Sequence, residues 1–329
     1  MDHPAFLITI DTEGDDIWSR PHEITTRNAS FLPRFQSLCE AYGMRPTYLV
    51  NWEMIHSPEF QELGIKAQAQ GTAEIGMHLH AWNTPPIVPL CEDDYLHTPY
   101  LIEYPEALVR EKVRRTTEAI ETVFDRHPIS HRAGRWAIDE IYARVLADAG
   151  YLVDCSVTPG VSWRAHPGDP AGNGGADYSE FPSDPYFVDL DAIDRPGDSP
   201  LLEVPMTIQR SGWPAPVGAL RWIAPRLPQG QRVMDRFFPE FSWLRPNGRN
   251  LQAMLRILDT AVADGRSYVE FMLHSSEFMP GGSPYFPTEH SIEVLYDHME
   301  RLFDAAADRF EGMTLETYFH RFSQAAISA

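Results

Sequence analysis

Seven short apolar runs, most of them rich in β-branched or aromatic residues, constrain the fold of this chain most. They are AFLITI (5–10), PTYLVN (46–51), AEIGMH (73–78), ISHRAG (129–134), YLVDCSV (151–157), LLEVPMTI (201–208) and SYVEFMLH (267–274). Each has the length and residue preference of a buried strand. Helical patterns separate most of them. SFLPRFQSLCEAYG (30–43) reads as a helix interrupted early by Pro33, and Leu108, Val113, Thr117, Ile120 and Phe124 recur at helical spacing. AIDEIYARVLADAG (137–150) ends at a glycine, and further helices are expected near 250–264, 290–307 and 315–326. Strands that alternate with helices imply βα units and a mainly parallel sheet. A chain of 329 residues suits one large α/β barrel or two ordinary domains. The Gly-, Pro- and Asp-rich stretch 158–200 could be a linker, but no independent set of strands and helices follows it. We therefore expect a single domain over 1–329, with loop elaborations at about 158–200 and at the aromatic, Pro-rich stretch 211–247.

Composition removes several classes of function. The net charge is −20, from 27 basic and 47 acidic side chains, which argues against tracking a nucleic-acid backbone. No window approaches the roughly 20 apolar residues that cross a bilayer. The N-terminus MDHPAFLITIDTEGD has neither a basic leader nor a small-residue cleavage site, so no signal peptide is expected. Cys39, Cys91 and Cys155 form no disulfide or metal spacing and suit a reducing compartment, which makes the cytoplasm the expected location. A homo-oligomer is left open.

In a parallel α/β barrel, chemistry gathers where strands end at their carboxyl side. The first strand runs into DTEGD, which puts Asp11 and Glu13 at i and i+2 on one side of the chain. The third gives His78 and His80 in HLHAWNTPP, the fourth Arg132, Arg135 and Trp136 in RAGRW, the fifth Asp154 in VDCS, and the last His274 in MLHSSE. Any one of these is a weak signal. Their joint placement at one edge is a strong one.

The order of these motifs resembles that of the NodB-homology polysaccharide deacetylases, and DTEGD, HLHAWNTPP, RAGRW, WLRP and HSSEFMPGGSPY resemble a cytoplasmic, WalW-like subgroup associated with surface-polysaccharide synthesis. The resemblance implies a distorted (β/α)7 barrel with long loop insertions, and removal of an acyl group from an amino sugar. Two departures stand out. A residue separates Asp11 from Glu13 where the family has adjacent aspartates, and Trp82 occupies the place of the usual second metal histidine, with His80 the nearest substitute.

Glu13, His78 and His80 offer one carboxylate and two imidazoles, a set suited to zinc or another first-row metal with an open position. Asp11 is the expected general base, with a third metal ligand or a strand-end cap as its alternatives. Arg132 would hold Asp11 ionised or form a structural salt bridge at the barrel rim. His274 is the expected general acid, kept cationic by Asp154, with a core histidine as the alternative. Arg135, Trp136 and Trp82 are candidates for the substrate wall, Trp82 being equally readable as core packing. The expected function is a metal-dependent hydrolase that removes an acetyl group from an amino sugar of a surface glycan or its precursor. The competing readings are a non-glycan amidase or cyclic-imide hydrolase on the same barrel, and a catalytically weak sugar-binding or assembly protein.

Overall fold

All eight residues of β1 (Ala5–Thr12) are buried, because this strand is flanked on both sides and covered on both faces. The computed structural model describes residues 3–211 and 238–328, with a few positions between them. β1 pairs in parallel with β10 (Tyr268–His274) on one flank. On the other it pairs with β2 (Pro46–Val50) and, nearer its start, with the short β11 (Glu311–Met313). β3 (Glu74–Leu79), β4 (Ser130–Ala133), β5 (Val153–Asp154) and β7 (Leu202–Glu203) follow in parallel, and β6 (Tyr186–Phe187) closes the row antiparallel to β7. The described sheet therefore runs β10–β1–β2–β3–β4–β5–β7–β6.

Its two ends approach each other without forming a ladder. Tyr268 donates its hydroxyl to the Pro205 carbonyl, Glu270 N–H bonds Thr207 Oγ1, and Met272 N–H bonds the Leu244 carbonyl. The result is a distorted α/β barrel whose seam is bridged by irregular chain.

Residue alternation divides two apolar clusters between the faces of the strands. Phe6, Ile8, Ile10, Tyr48, Val50, Ile75 and Met77 face the helices. These are α1 (Leu32–Ala41), α2 (Trp52–Ile55), α3 (Pro58–Gln70), α4 (Asp94–His97), α5 (Glu106–Phe124), α6 (Glu140–Asp148), α7 (Leu251–Ala263), α8 (Glu289–Ala307) and α9 (Leu315–Ser328). Leu7, Leu49, Val153, Leu202 and Tyr268 pack in a smaller cluster with Tyr318 of α9. Glu74 closes this end by accepting the N–H of Glu316 at the start of α9 (2.9 Å) and the hydroxyl of Thr47 (3.0 Å). The apolar lower lumen leaves the upper lumen to polar side chains.

Several sequence expectations shift locally. Pro33 lies in the first turn of α1 rather than interrupting it, a place where proline is tolerated. α3 lies between the second and third strands where no helix was expected. Its buried face is Phe60, Gly64 and Ala67, too few apolar residues to show a period. LLEVPMTI splits into β7 and the start of β8 (Ile208–Arg210), parted at Pro205, which has no N–H to give a ladder. Residues 158–200 are mostly irregular and carry β6. The elaboration expected at 211–247 lies largely outside the described residues, apart from β9 (Phe241–Trp243), which pairs antiparallel with β8. Among the described residues, no helix is long and apolar enough to cross a membrane.

Candidate active site

Strand register assembles the site. The β1–β10 ladder sets Asp11 opposite His274, and the β3–β4 ladder sets His78 opposite Arg132. Register partners point to the same face of a sheet. Two residues on from His78, His80 comes back to that face, as Glu13 does after Asp11. One cavity of about 220 Å³ is lined by Asp11, Glu13, His78, His80, Trp82 and His274, with Trp18, Arg135 and Trp136 at its wall.

Glu13, His78 and His80 are buried, and one ligand atom from each lies within 4.8 Å of the others. The Nε2 atoms of the histidines are 2.9 Å apart, and Glu13 Oε2 is 3.6 Å from His78 and 3.4 Å from His80. A triangle with these sides has each corner roughly 1.9 Å from its centre, close to the 2.0–2.2 Å at which nitrogen and carboxylate ligands hold zinc. His78 Nδ1 donates to the Arg132 carbonyl (2.9 Å), which fixes the tautomer and leaves the Nε2 lone pair facing Glu13. The donor set and its geometry therefore fit a first-row divalent ion. Trp82, at the place of the missing histidine, stacks on the His80 ring at 4.5 Å and 19°.

Asp11 and Arg132 form the buried centre. Arg132 Nη1 donates to Asp11 Oδ1 (2.6 Å), Nη2 to Thr9 Oγ1 (2.7 Å) and to Glu270, and Nε to the Cys155 carbonyl (3.1 Å). Burial pushes the Asp11 pKa up, but Arg132, His78 and His274 outweigh it and hold the carboxyl well below the usual range. Its second oxygen is left 4.0 Å from His78 Nε2 and 3.7 Å from His274 Nε2. Burial raises Glu270 to about 7 despite Arg132.

His274 is not held by Asp154. In the β4–β5 ladder Asp154 pairs with His131, the residue before Arg132, so it faces away from the lumen. There His131 Nδ1–H bonds Asp154 Oδ1 (2.6 Å), and Tyr142 of α6 bonds the other ring nitrogen (2.6 Å). The partners of His274 Nδ1 are Glu277 Oε2 (3.2 Å) and Arg245 Nη2 (3.0 Å). A carboxylate acceptor and a guanidinium donor at one nitrogen serve the imidazolium and the imidazole alike. Glu277 stands three residues after His274 and Arg245 lies in WLRP, so both were within motifs already singled out, but nothing in the sequence joined them to His274.

The wall is built from strained backbone. Arg135 and Trp136 are consecutive residues with φ of 57° and 63°, in the left-handed region where bulky side chains are disfavoured. Tyr178 holds the turn by donating to the Trp136 carbonyl and accepting from Ile138 N–H. Gly134 before them is required, since a Cβ there would lie 2.3 Å from the His80 ring. Arg135 donates to the carbonyls of Thr98 and Pro167 and lies over the Tyr100 ring at 4.0 Å.

The loop after His80 hangs on one cation. Fully buried Lys112 of α5 donates to the carbonyls of Ala81 (2.8 Å), Thr84 (2.5 Å) and Pro86 (2.8 Å), although burial lowers its pKa to about 8. Lys112→Met would leave those acceptors unpaired, at about 1–3 kcal/mol. The expected results are a melting temperature several degrees lower and, on the metal-site reading proposed below, zinc binding weakened about tenfold or more, because His80 loses its support. Unchanged zinc affinity would show that the loop holds itself.

No protein-family model matches the sequence, and no curated protein matches it. Solved structures do share its fold. A glycoside hydrolase/deacetylase candidate from Parabacteroides distasonis is 13% identical, with 98% of this chain and 72% of that one covered at a TM-score of 0.58. A candidate polysaccharide deacetylase from Mycobacterium smegmatis is 17% identical over 98% of this chain and 92% of that one, at a TM-score of 0.51. The 4-alpha-glucanotransferase of Thermococcus litoralis is 13% identical, covering 97% of this chain and 40% of that longer one, at a TM-score of 0.53. At such identities the likeness is one of fold.

Proposed function

We propose that the chain is a divalent-metal-dependent hydrolase of the polysaccharide deacetylase kind, which removes an acetyl group from an amino sugar of a surface glycan or its precursor. In this reading it works as one catalytic domain in the cytoplasm and is related to the WalW-like subgroup. The observation that carries it is the meeting, in one cavity, of the Glu13–His78–His80 triangle with an arginine-held carboxylate and a partnered histidine. The structural neighbours described as deacetylases support it.

Glu13, His78 and His80 are the metal ligands in this reading, and zinc is the ion they suit. When bound, such an ion lowers the pKa of water and polarises a carbonyl. Asp11, kept ionised by Arg132, takes the proton of the attacking water through its free oxygen. His274 gives a proton from Nε2 to the leaving amine while Glu277 stabilises its cationic form. Trp82 and Trp136 present aromatic faces to a sugar ring, and Arg135 orders the wall beside them.

The test is metal content together with acetate release from a panel of N-acetylated sugars and glycans. We expect about one metal per chain, loss of activity with a chelator, and recovery with zinc or cobalt. Full activity in a metal-free chain overturns the reading. Metal without acetate release favours the amidase reading on the same barrel. His274→Ala should lower turnover about 10²–10⁴-fold, the usual contribution of one acid–base group, with metal content and melting temperature near wild type. Equal losses in all three would make His274 a structural residue.

A further inference from the structure

The molecule has a second and larger cavity, of about 650 Å³, beside the first. Trp136 lines both. Arg245 joins them as well, lining the larger cavity while its Nη2 reaches His274 Nδ1 at 3.0 Å. The two spaces are therefore suited to neighbouring parts of one ligand.

The chemistry of the larger cavity is unlike that of the rest of the chain. Acidic side chains outnumber basic ones 47 to 27 overall, yet among the described residues three arginines and no aspartate or glutamate line it. Arg245 is paired with Glu277 at 3.2 Å. Arg249 and Arg256 are exposed and make no ion pair among the described residues. Beside them stand three tryptophans in series, with Trp243 centred 6.1 Å from Trp136 and 6.5 Å from Trp163. Flat aromatic faces suit rings with apolar C–H surfaces, and paired guanidinium groups suit carboxylate or phosphate oxygens. Two unpaired arginines in a strongly acidic protein would raise the local concentration of an anion that the rest of the surface repels.

We propose that this cavity is a substrate subsite for an anionic part of the glycan, a ring bearing a carboxylate or phosphate adjoining the acylated sugar at His78 and His80. Arg249 and Arg256 hold the anion and the tryptophan series holds the ring. The proposal rests on the deacetylase reading above, because it places the two cavities on one substrate.

Three probes test it by titration calorimetry at low salt: chitotetraose, which is neutral; a tetrasaccharide alternating N-acetylglucosamine and glucuronate; and UDP-N-acetylglucosamine. We expect at least one anionic probe to bind roughly tenfold or more tightly than chitotetraose, and the preference to shrink as salt screens the arginines. Preference for the uronate probe identifies a carboxylate as the anion, and preference for the nucleotide sugar identifies a phosphate. The variant R249Q/R256Q should bring the ratio close to one, with either single variant showing a smaller fall should the double one misfold. Equal binding of all three probes by the unaltered chain, or a ratio that survives both substitutions, overturns the subsite. Zinc content and acetate release, measured on the same preparations, separate this outcome from failure of the deacetylase reading. Loss of those two with the anion preference intact counts against the chemistry alone.

Discussion

On the proposed ligand set, His78→Ala should abolish metal binding and with it catalysis. The expected results are a fall from about one bound zinc to nearly none, and at least a 10³-fold loss of turnover, since a metal supplies several kcal/mol of transition-state stabilisation and each 1.36 kcal/mol is a factor of ten. His78 is singled out because its ring is oriented from both sides. Nδ1 is fixed by a backbone carbonyl of the neighbouring strand, and Nε2 lies within 3.6 Å of Glu13 and 2.9 Å of His80. Burial disfavours the imidazolium there, while Asp11 and Glu13 overcome this and raise its pKa in the absence of an ion. At His80, burial and the neighbouring His78 push the pKa well down, so this ring offers a lone pair without competition from a proton. Inductively coupled plasma analysis on dialysed protein measures the loss. A His78→Ala chain that keeps its zinc sinks the proposed ligand set.

Arg132→Met should destabilise the fold by about 3–5 kcal/mol, the range seen when one partner of a buried ion pair is removed. Arg132 is fully buried and, among the described residues, is the one cation in contact with two buried acids, Asp11 and Glu270, whose mutual repulsion it offsets. Methionine fills much of its volume but leaves both acids to be protonated or unpaired. Urea unfolding reads the cost, and Glu270→Gln in the same chain should recover part of it, because an amide needs no counter-charge. A variant within about 1 kcal/mol of wild type would mean that the cluster makes no net contribution to stability, as well-packed replacements of buried ion pairs sometimes show.

The fold and the meeting of Glu13, His78 and His80 were legible because they depend on features the chain displays locally. Runs such as AFLITI and SYVEFMLH announce buried strands, and the i, i+2 spacing of Asp11 and Glu13, and of His78 and His80, states which side chains share a face. What the sequence hid was parity between strands. Asp154 looked like the partner of His274 because it also follows a strand, yet a shift of one residue in the β4–β5 register decides which face it takes. Glu277 and Arg245 hold His274 instead, through loop geometry that no periodicity encodes. α3 was hidden for another reason, since its buried stripe includes Gly64, whose lack of a side chain makes room for Phe124 and Ile75.

The β1–β10 ladder also bears on how the molecule comes into being. Asp11 and His274 line the same cavity and come within 3.7 Å of each other, yet they stand 263 residues apart in the chain. Such long-range pairing is slow to form, and a nascent chain made from its N-terminus reaches Tyr268 late. Until then β1 has one edge wholly bare, and the start of the other waits for β11, a surface of the kind on which unfinished chains aggregate. Newly made molecules would need shelter over that interval, and yield should depend more on how the chain is synthesised than on how firmly the finished barrel holds.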